Sequence, residues 1–142
     1  MDDDADVAAE ILRRFHRVAV VGISADPTRP SHEVASYLRD AGYEILPINP
    51  TLANWEGRPC FPDLHAAPPP VELVDIFRRS ELAGAAVDEA ITVGARAVWM
   101  QIGVIDHAAA ARARAAGLLV VMDRCMLTEH VRLQDEGRKT KD

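Results

Sequence analysis

Alternation is the feature that most constrains this chain: short apolar runs at 18–21, 43–48, 71–77, 97–100 and 118–122 are separated by segments of helical period. A run that is apolar throughout, as 18–21 is, suits a strand covered on both faces, and strands joined through helices lie parallel. The expected fold is therefore α/β, a doubly wound five-stranded parallel sheet with helices on both faces. Right-handed crossovers give the expected strand order 3-2-1-4-5.

A helix should precede the first strand. Val7, Ala8, Ile11, Leu12 and Phe15 recur at helical spacing behind the acidic residues 1–6, and aspartates suit a helix N-terminus. A second helix begins near Ser31, with Val34, Tyr37, Leu38 and Ala41 on one face, and stops at Gly42. Later helices end at Gly94 and Gly117. Pro47 cannot donate to a sheet ladder, so it belongs near the C-terminal end of its strand. Residues 51–70 carry turn signals and no period, which predicts a long connection with one helical turn, of the kind that frames a site. Residues 1–133 read as one domain and 134–142 as a frayed polar tail.

Charge narrows the partners. A formal net charge of −6 leaves no broad basic face for nucleic acid or an anionic membrane, so any polyanion must be held by locally placed arginines. Cys60 and Cys125 form no CxxC pair and have no histidine at zinc-ligand spacing, so neither a disulfide scaffold nor a metal site is expected. The N-terminus is acidic where a secretory signal is basic, and no apolar run approaches the roughly 20 residues that span a bilayer. A cytoplasmic protein is expected.

The stretch from Val18 to Val34 reads as a buried strand, a single-glycine turn at Gly22, a polar loop carrying Arg29, and the start of a helix. A helix N-terminus offers unpaired N–H groups and a positive dipole end, so this arrangement is a phosphate cradle. GxxxxGK[ST] is absent, which removes the phosphate-gripping lysine of nucleoside triphosphatases. GxGxxG is absent too, and Asn49-Pro50 stands where a dinucleotide site usually places an acidic residue. Ser24, Asp26 and His32 supply triad residue types, but in one loop without a nucleophile elbow, so hydrolysis is not expected.

Four blocks resemble the coenzyme A (CoA)-binding proteins of Rossmann-like fold that are related to the CoA-binding domain of the succinyl-CoA synthetase alpha subunit. They are Val21-Gly-Ile-Ser24 with Pro27-Thr-Arg-Pro-Ser31, Gly42-Tyr43 with Pro47-Ile-Asn-Pro50, Val74-Asp-Ile-Phe-Arg-Arg79, and Asp123-Arg-Cys125. The resemblance implies a small-molecule ligand, CoA or an acyl-CoA. It implies that Gly22, Ile23, Ser24, Arg29 and Ser31 hold phosphates, while Asn49, Pro50, Phe77, Arg78 and Arg79 flank the adenosine portion. The synthetase's second domain, with its phosphorylated histidine, has no counterpart in these residues, so ligase chemistry is not inherited and a non-catalytic carrier, sensor or protein-regulating role is expected.

Two other classes stay open at this point. One is an NAD(P)-dependent oxidoreductase or another nucleotide-using enzyme of the same fold. The other is a thiol-redox protein centred on Cys125, which follows Arg124 and lies near a helix start, a setting that activates thiols. His32 either contacts phosphate or occupies the first helical turn. Trp55, Phe61 and Met126 are expected as an apolar rim that covers a pantetheine arm or meets another subunit, as in a homodimer, or a protein partner.

Overall fold

A computed structural model describes residues 3–140 of the chain. Met1 and Asp2 of the acidic leader, and Lys141 and Asp142 of the expected tail, lie outside the described residues. Helix α1 (Asp3–Arg14) leads into β1 (Arg17–Val21), α2 (Pro30–Asp40) and β2 (Glu44–Ile48). A two-residue hairpin, β3 (Asn54–Trp55) and β4 (Arg58–Pro59), precedes β5 (Leu73–Ile76), α3 (Ser80–Thr92) and β6 (Ala97–Met100). The chain closes with α4 (His107–Ala115), β7 (Leu119–Val121) and α5 (Met126–Thr140). Residues 134–140, expected as a frayed tail, continue α5. The connection 51–70 holds the hairpin and turns in place of a helical turn.

The five-stranded sheet is parallel throughout, and helices cover both faces. Alternate residues of each strand supply two cores. Val18 and Val20 of β1 face α1, α2 and α5, packing with Ile11, Leu12, Leu38 and Met126. Ala19 and Val21 face α3 and α4, packing with Val87, Ala90, Ala109 and Ala113. The small side chains of α3 and α4 let these helices sit close to each other and to the sheet.

The strand order corrects the expected 3-2-1-4-5. It is β2-β1-β5-β6-β7, so the third long strand lies beside the first and not outside the second. Two physical causes act together. The segment before β5 is clamped to the start of β1: the Glu72 carboxylate accepts from the His16 and Arg17 N–H groups at 3.0 Å each, and the Arg17 guanidinium donates to the carbonyls of Pro68 and Pro70. The second cause is Pro47, the fourth residue of β2. Its carbonyl accepts from Phe61 N–H at 2.9 Å on the outer side of β2, so the position that lacks a donor faces away from β1. A full strand outside β2 would meet a broken ladder there, and an edge tolerates it.

This order moves the reversal of winding to the gap between β1 and β5. Helix α2 leaves β1 onto one face and α3 leaves β5 onto the other. The two carboxyl ends diverge there and open a crevice, the usual ligand position in such sheets.

Candidate functional site

A cleft of about 970 Å³ opens at this switch point. Of the ten residues expected at the site, Gly22, Ile23, Ser24, Arg29, Ser31, Asn49, Phe77, Arg78 and Arg79 line it. Pro50 is exposed and outside the lining.

The first loop is tied down by side chains. Asn49 donates from Nδ2 to the Ile23 carbonyl at 2.8 Å, and its Oδ1 accepts from the Thr51 N–H and hydroxyl, also at 2.8 Å. Trp55 donates from its indole to the Ser24 carbonyl at 3.0 Å, and the Ser31 hydroxyl accepts from Ser24 N–H at 3.0 Å. Two carbonyls that would repel an anion are thereby engaged. The backbone N–H groups of Ile23, Ala25 and Ser31 donate to nothing among the described residues, and all three residues line the cleft. Unpaired N–H groups beside the N-terminal turn of α2 are the makings of an anion site.

Several residues turn out to shape the loop as well. Gly22 adopts φ +84, and a Cβ there would lie 2.2 Å from the Phe77 carbonyl oxygen, so this glycine is required by the approach of β1 to β5 whatever binds nearby. Ser31 is one residue inside α2, whose cap position is Arg29. Asp26 places a carboxylate in the cleft; hydrogen bonds from Thr28 N–H and hydroxyl, with the charge of Arg29 adding, hold its pKa below the ordinary carboxylate value.

The cations differ in availability. Arg79 is paired with Glu81 at 3.5 Å on the surface. Arg29 and Arg78 form no ion pair among the described residues. His32 is buried and lies outside the cleft lining: one ring nitrogen faces Glu56 at 3.3 Å, the other faces the Ser36 hydroxyl at 3.3 Å, and the ring packs on Trp55. It serves the helical turn and the hairpin.

Cys125 lines the cleft at the start of α5. The neighbouring Arg124 points its guanidinium at the buried Glu129 carboxylate, 2.8 Å away, which compensates the charge invoked for an activated thiol. Burial pushes the Cys60 thiol up. Both cysteines are free, and the described residues hold no cluster of three or more metal-ligating side chains. The expected apolar rim is absent: Trp55 and Met126 are fully buried in one core, and Phe61 packs against the other.

The far wall of the cleft lies on the turn that follows β6. Gln101, Ile102, Gly103 and Val104 line it beyond β6. This turn is pinned at both ends: Ser80 Oγ donates to the Gly103 carbonyl and accepts from Ile105 N–H, and Asp123 accepts from Gly103 N–H at 2.7 Å. Beneath it, Asp75 is wholly buried in β5, accepts from Gln101 Nε2 at 2.7 Å through Oδ1, and leaves Oδ2 without a partner. Burial raises its pKa to about 8. The signal in the sequence was a lone aspartate inside an apolar strand and a glutamine at the end of the next.

The fold and the cleft define a Rossmann-like α/β domain with its binding crevice at the switch point of a doubly wound sheet. The chain belongs to the CoA binding domain family, whose model matches residues 16–131. It is 38% identical over 121 residues, 85% of its length, to the uncharacterized protein YneT of Bacillus subtilis (strain 168), and covers 90% of that protein. A hypothetical protein of Pyrococcus horikoshii OT3 superimposes with a TM-score of 0.87 at 39% identity, covering 92% of each chain. The apo form of an acetyl-coenzyme A synthetase of Ca. Korarchaeum cryptofilum is similar in fold, with a TM-score of 0.70 at 23% identity; the match covers 80% of this chain and 27% of the synthetase. No described helix is long and apolar enough to cross a membrane.

Proposed function

We propose that the protein binds CoA or an acyl-CoA in the cleft, phosphates against the loop of residues 22–31, and acts as a carrier, sensor or regulator of another protein without chemistry of its own. The observation that carries this is local. In a chain of net charge −6, unpaired N–H groups of Ile23, Ala25 and Ser31 share one cleft with Arg29 and Arg78, which form no ion pair among the described residues although the Asp26 carboxylate lies in the same cleft. CoA brings a pyrophosphate and a 3′-phosphate, for which separated arginines and a helix N-terminus are fitting donors. The family match supports the same ligand. Against an NAD site stand the single glycine of the loop and Asn49, whose side chain is already spent on Ile23 and Thr51.

Calorimetry and thermal shift with CoA, dephospho-CoA, acetyl-CoA, NAD and NADP test the proposal side by side. CoA should stabilise the protein, and more than dephospho-CoA. Arg29→Ala or Arg78→Ala should weaken CoA binding by about 1 to 3 kcal/mol, the range for a charge-assisted hydrogen bond. Arg79→Ala, which removes an arginine already paired at the surface, should change it by less than about 1 kcal/mol. Stabilisation by NAD and not by CoA would overturn the proposal.

A further inference from the structure

The Asp75–Gln101 pair is left over from the phosphate cradle, and it has the marks of a built device. Gln101 is 4% exposed and lines the cleft. Its Nε2 is committed to Asp75 Oδ1 at 2.7 Å. Its Oε1 accepts from nothing among the described residues, yet it is not sealed in, because among those residues the one buried side-chain atom without a partner is Asp75 Oδ2. A carboxamide with its N–H₂ end held inward must turn its carbonyl towards the open space, and that space is the cleft.

We propose that Gln101 is a specificity-determining residue whose Oε1 accepts a hydrogen bond from an amide N–H on the pantetheine arm of the ligand, and that Asp75 is the positioning residue that fixes the carboxamide for it. The inference rests on the CoA reading above. The sheet order gives the direction. Counting from β1, β6 is two strands away on the side opposite β2, about 10 Å at ordinary strand spacing. The pyrophosphate links the adenosine to the pantetheine, so an extended ligand with its phosphates at the end of β1 places the two on either side of that strand. With adenosine on the Asn49 side, the arm runs past Gln101 towards Cys125, which lines the same cleft.

An amide N–H is the chemistry that suits this acceptor. A bare carbonyl repels phosphate and rewards a donor, so the far wall discriminates against a second anionic group where the near wall attracts one. Asp75 suits its task because a carboxyl oxygen, in either protonation state, can accept from Nε2. Burial keeps that carboxyl uncharged at neutral pH, so no fixed negative charge lies beneath a polyanion.

The test is calorimetric titration of the full chain with two ligands, CoA and adenosine 3′,5′-bisphosphate, which lacks the pantetheine arm. Gln101→Met keeps the volume and removes the acceptor. It should weaken CoA about five- to twentyfold and leave the bisphosphate unchanged, so the bisphosphate also reports that the variant is folded. Asp75→Leu should reproduce the selective loss without touching the ligand, whereas Asp75→Asn, which still offers Oδ1 to Gln101, should retain CoA affinity within about twofold. This contrast decides the matter even if Gln101→Met fails to fold. Equal losses for both ligands in the Gln101 or Asp75→Leu variants, or no loss for CoA, would overturn the inference while the CoA reading stands. A wild-type protein that binds neither ligand would overturn the CoA reading and, with it, this inference.

Discussion

Asp75→Asn is expected to stabilise the protein increasingly as the pH rises, with the gain opening between pH 4 and about 8 and level above that. Asp75 is fully buried in β5, and desolvation pushes its carboxyl from an ordinary 3.8 up to about 8, with the Gln101 hydrogen bond opposing. Between those two values the folded protein holds a proton that the unfolded chain has released. Stability from this group is therefore fully present below about 4 and is lost as the pH rises through the folded value. At about 1.4 kcal/mol per pH unit, the loss by pH 8 is on the order of 5 kcal/mol. A domain of this kind is stable by about 5 to 15 kcal/mol in total, so the effect is large. Asparagine has no such proton to lose. Near pH 4 the two proteins should lie within about 2 kcal/mol, because the substitution exchanges the unpaired Oδ2 for an unpaired amide nitrogen. Thermal melts of both proteins from pH 4 to 9 measure this, and parallel curves would refute it.

Gly22→Ala should cost about 3 kcal/mol or more and weaken CoA binding with it. Two penalties coincide at this position. A residue with a side chain resists φ +84, at about 1 to 2 kcal/mol. The new methyl would also sit 2.2 Å from the Phe77 carbonyl oxygen, which is backbone and cannot swing away. Relieving the clash means parting β1 from β5, where Phe77 N–H donates to the Val21 carbonyl at 2.9 Å, while Gly22 is held from the other side by β2, its N–H donating to the Ile48 carbonyl at 3.0 Å. Those bonds close the floor of the cleft. Gly42→Ala is the control: φ is +103 there, but nothing lies within 4 Å of the added carbon, so only the conformational penalty applies. Urea unfolding of both variants should show Gly22→Ala as the more damaging by at least about 1 kcal/mol, and equal losses would refute the steric account.

Much of the fold was legible in the order of residues. Apolar runs located every long strand, and β6, at Ala97–Met100, falls on the residues expected. Helical spacing located α1 and α2 because Ile11, Leu12, Val34 and Leu38 each bury against the sheet. Strand order was not legible from crossover rules, since β2 and β5 can both lie beside β1 without breaking them. One residue carried the missing information: a proline inside an apolar strand argues for an edge, and Pro47 had been taken only as a clue to where the strand ends.

The candidate site divides in the same way. The loop after β1 was readable because a lone glycine, an arginine and a helix start lie within one short stretch of sequence. Its supports were not readable, because Asn49 meets Ile23 and Trp55 meets Ser24 across more than twenty intervening residues. Trp55, Phe61 and Met126 had looked like a rim; Trp55 and Met126 instead bury in the core beneath the hairpin and α5, while the partly buried Phe61 packs against the core on the opposite face of the sheet.

By itself the sequence determined that strands and helices alternate around a parallel sheet and that a loop of phosphate-cradle pattern, with one glycine and an arginine before a helix start, follows the first strand. Both are consequences of local pattern: a period, a glycine, an unpaired helix end. Only the tertiary structure decided which strands adjoin, and hence where the winding reverses and the cleft opens. Only it brought Asp75 and Gln101 together, because their hydrogen bond spans neighbouring strands and no spacing along the chain encodes it.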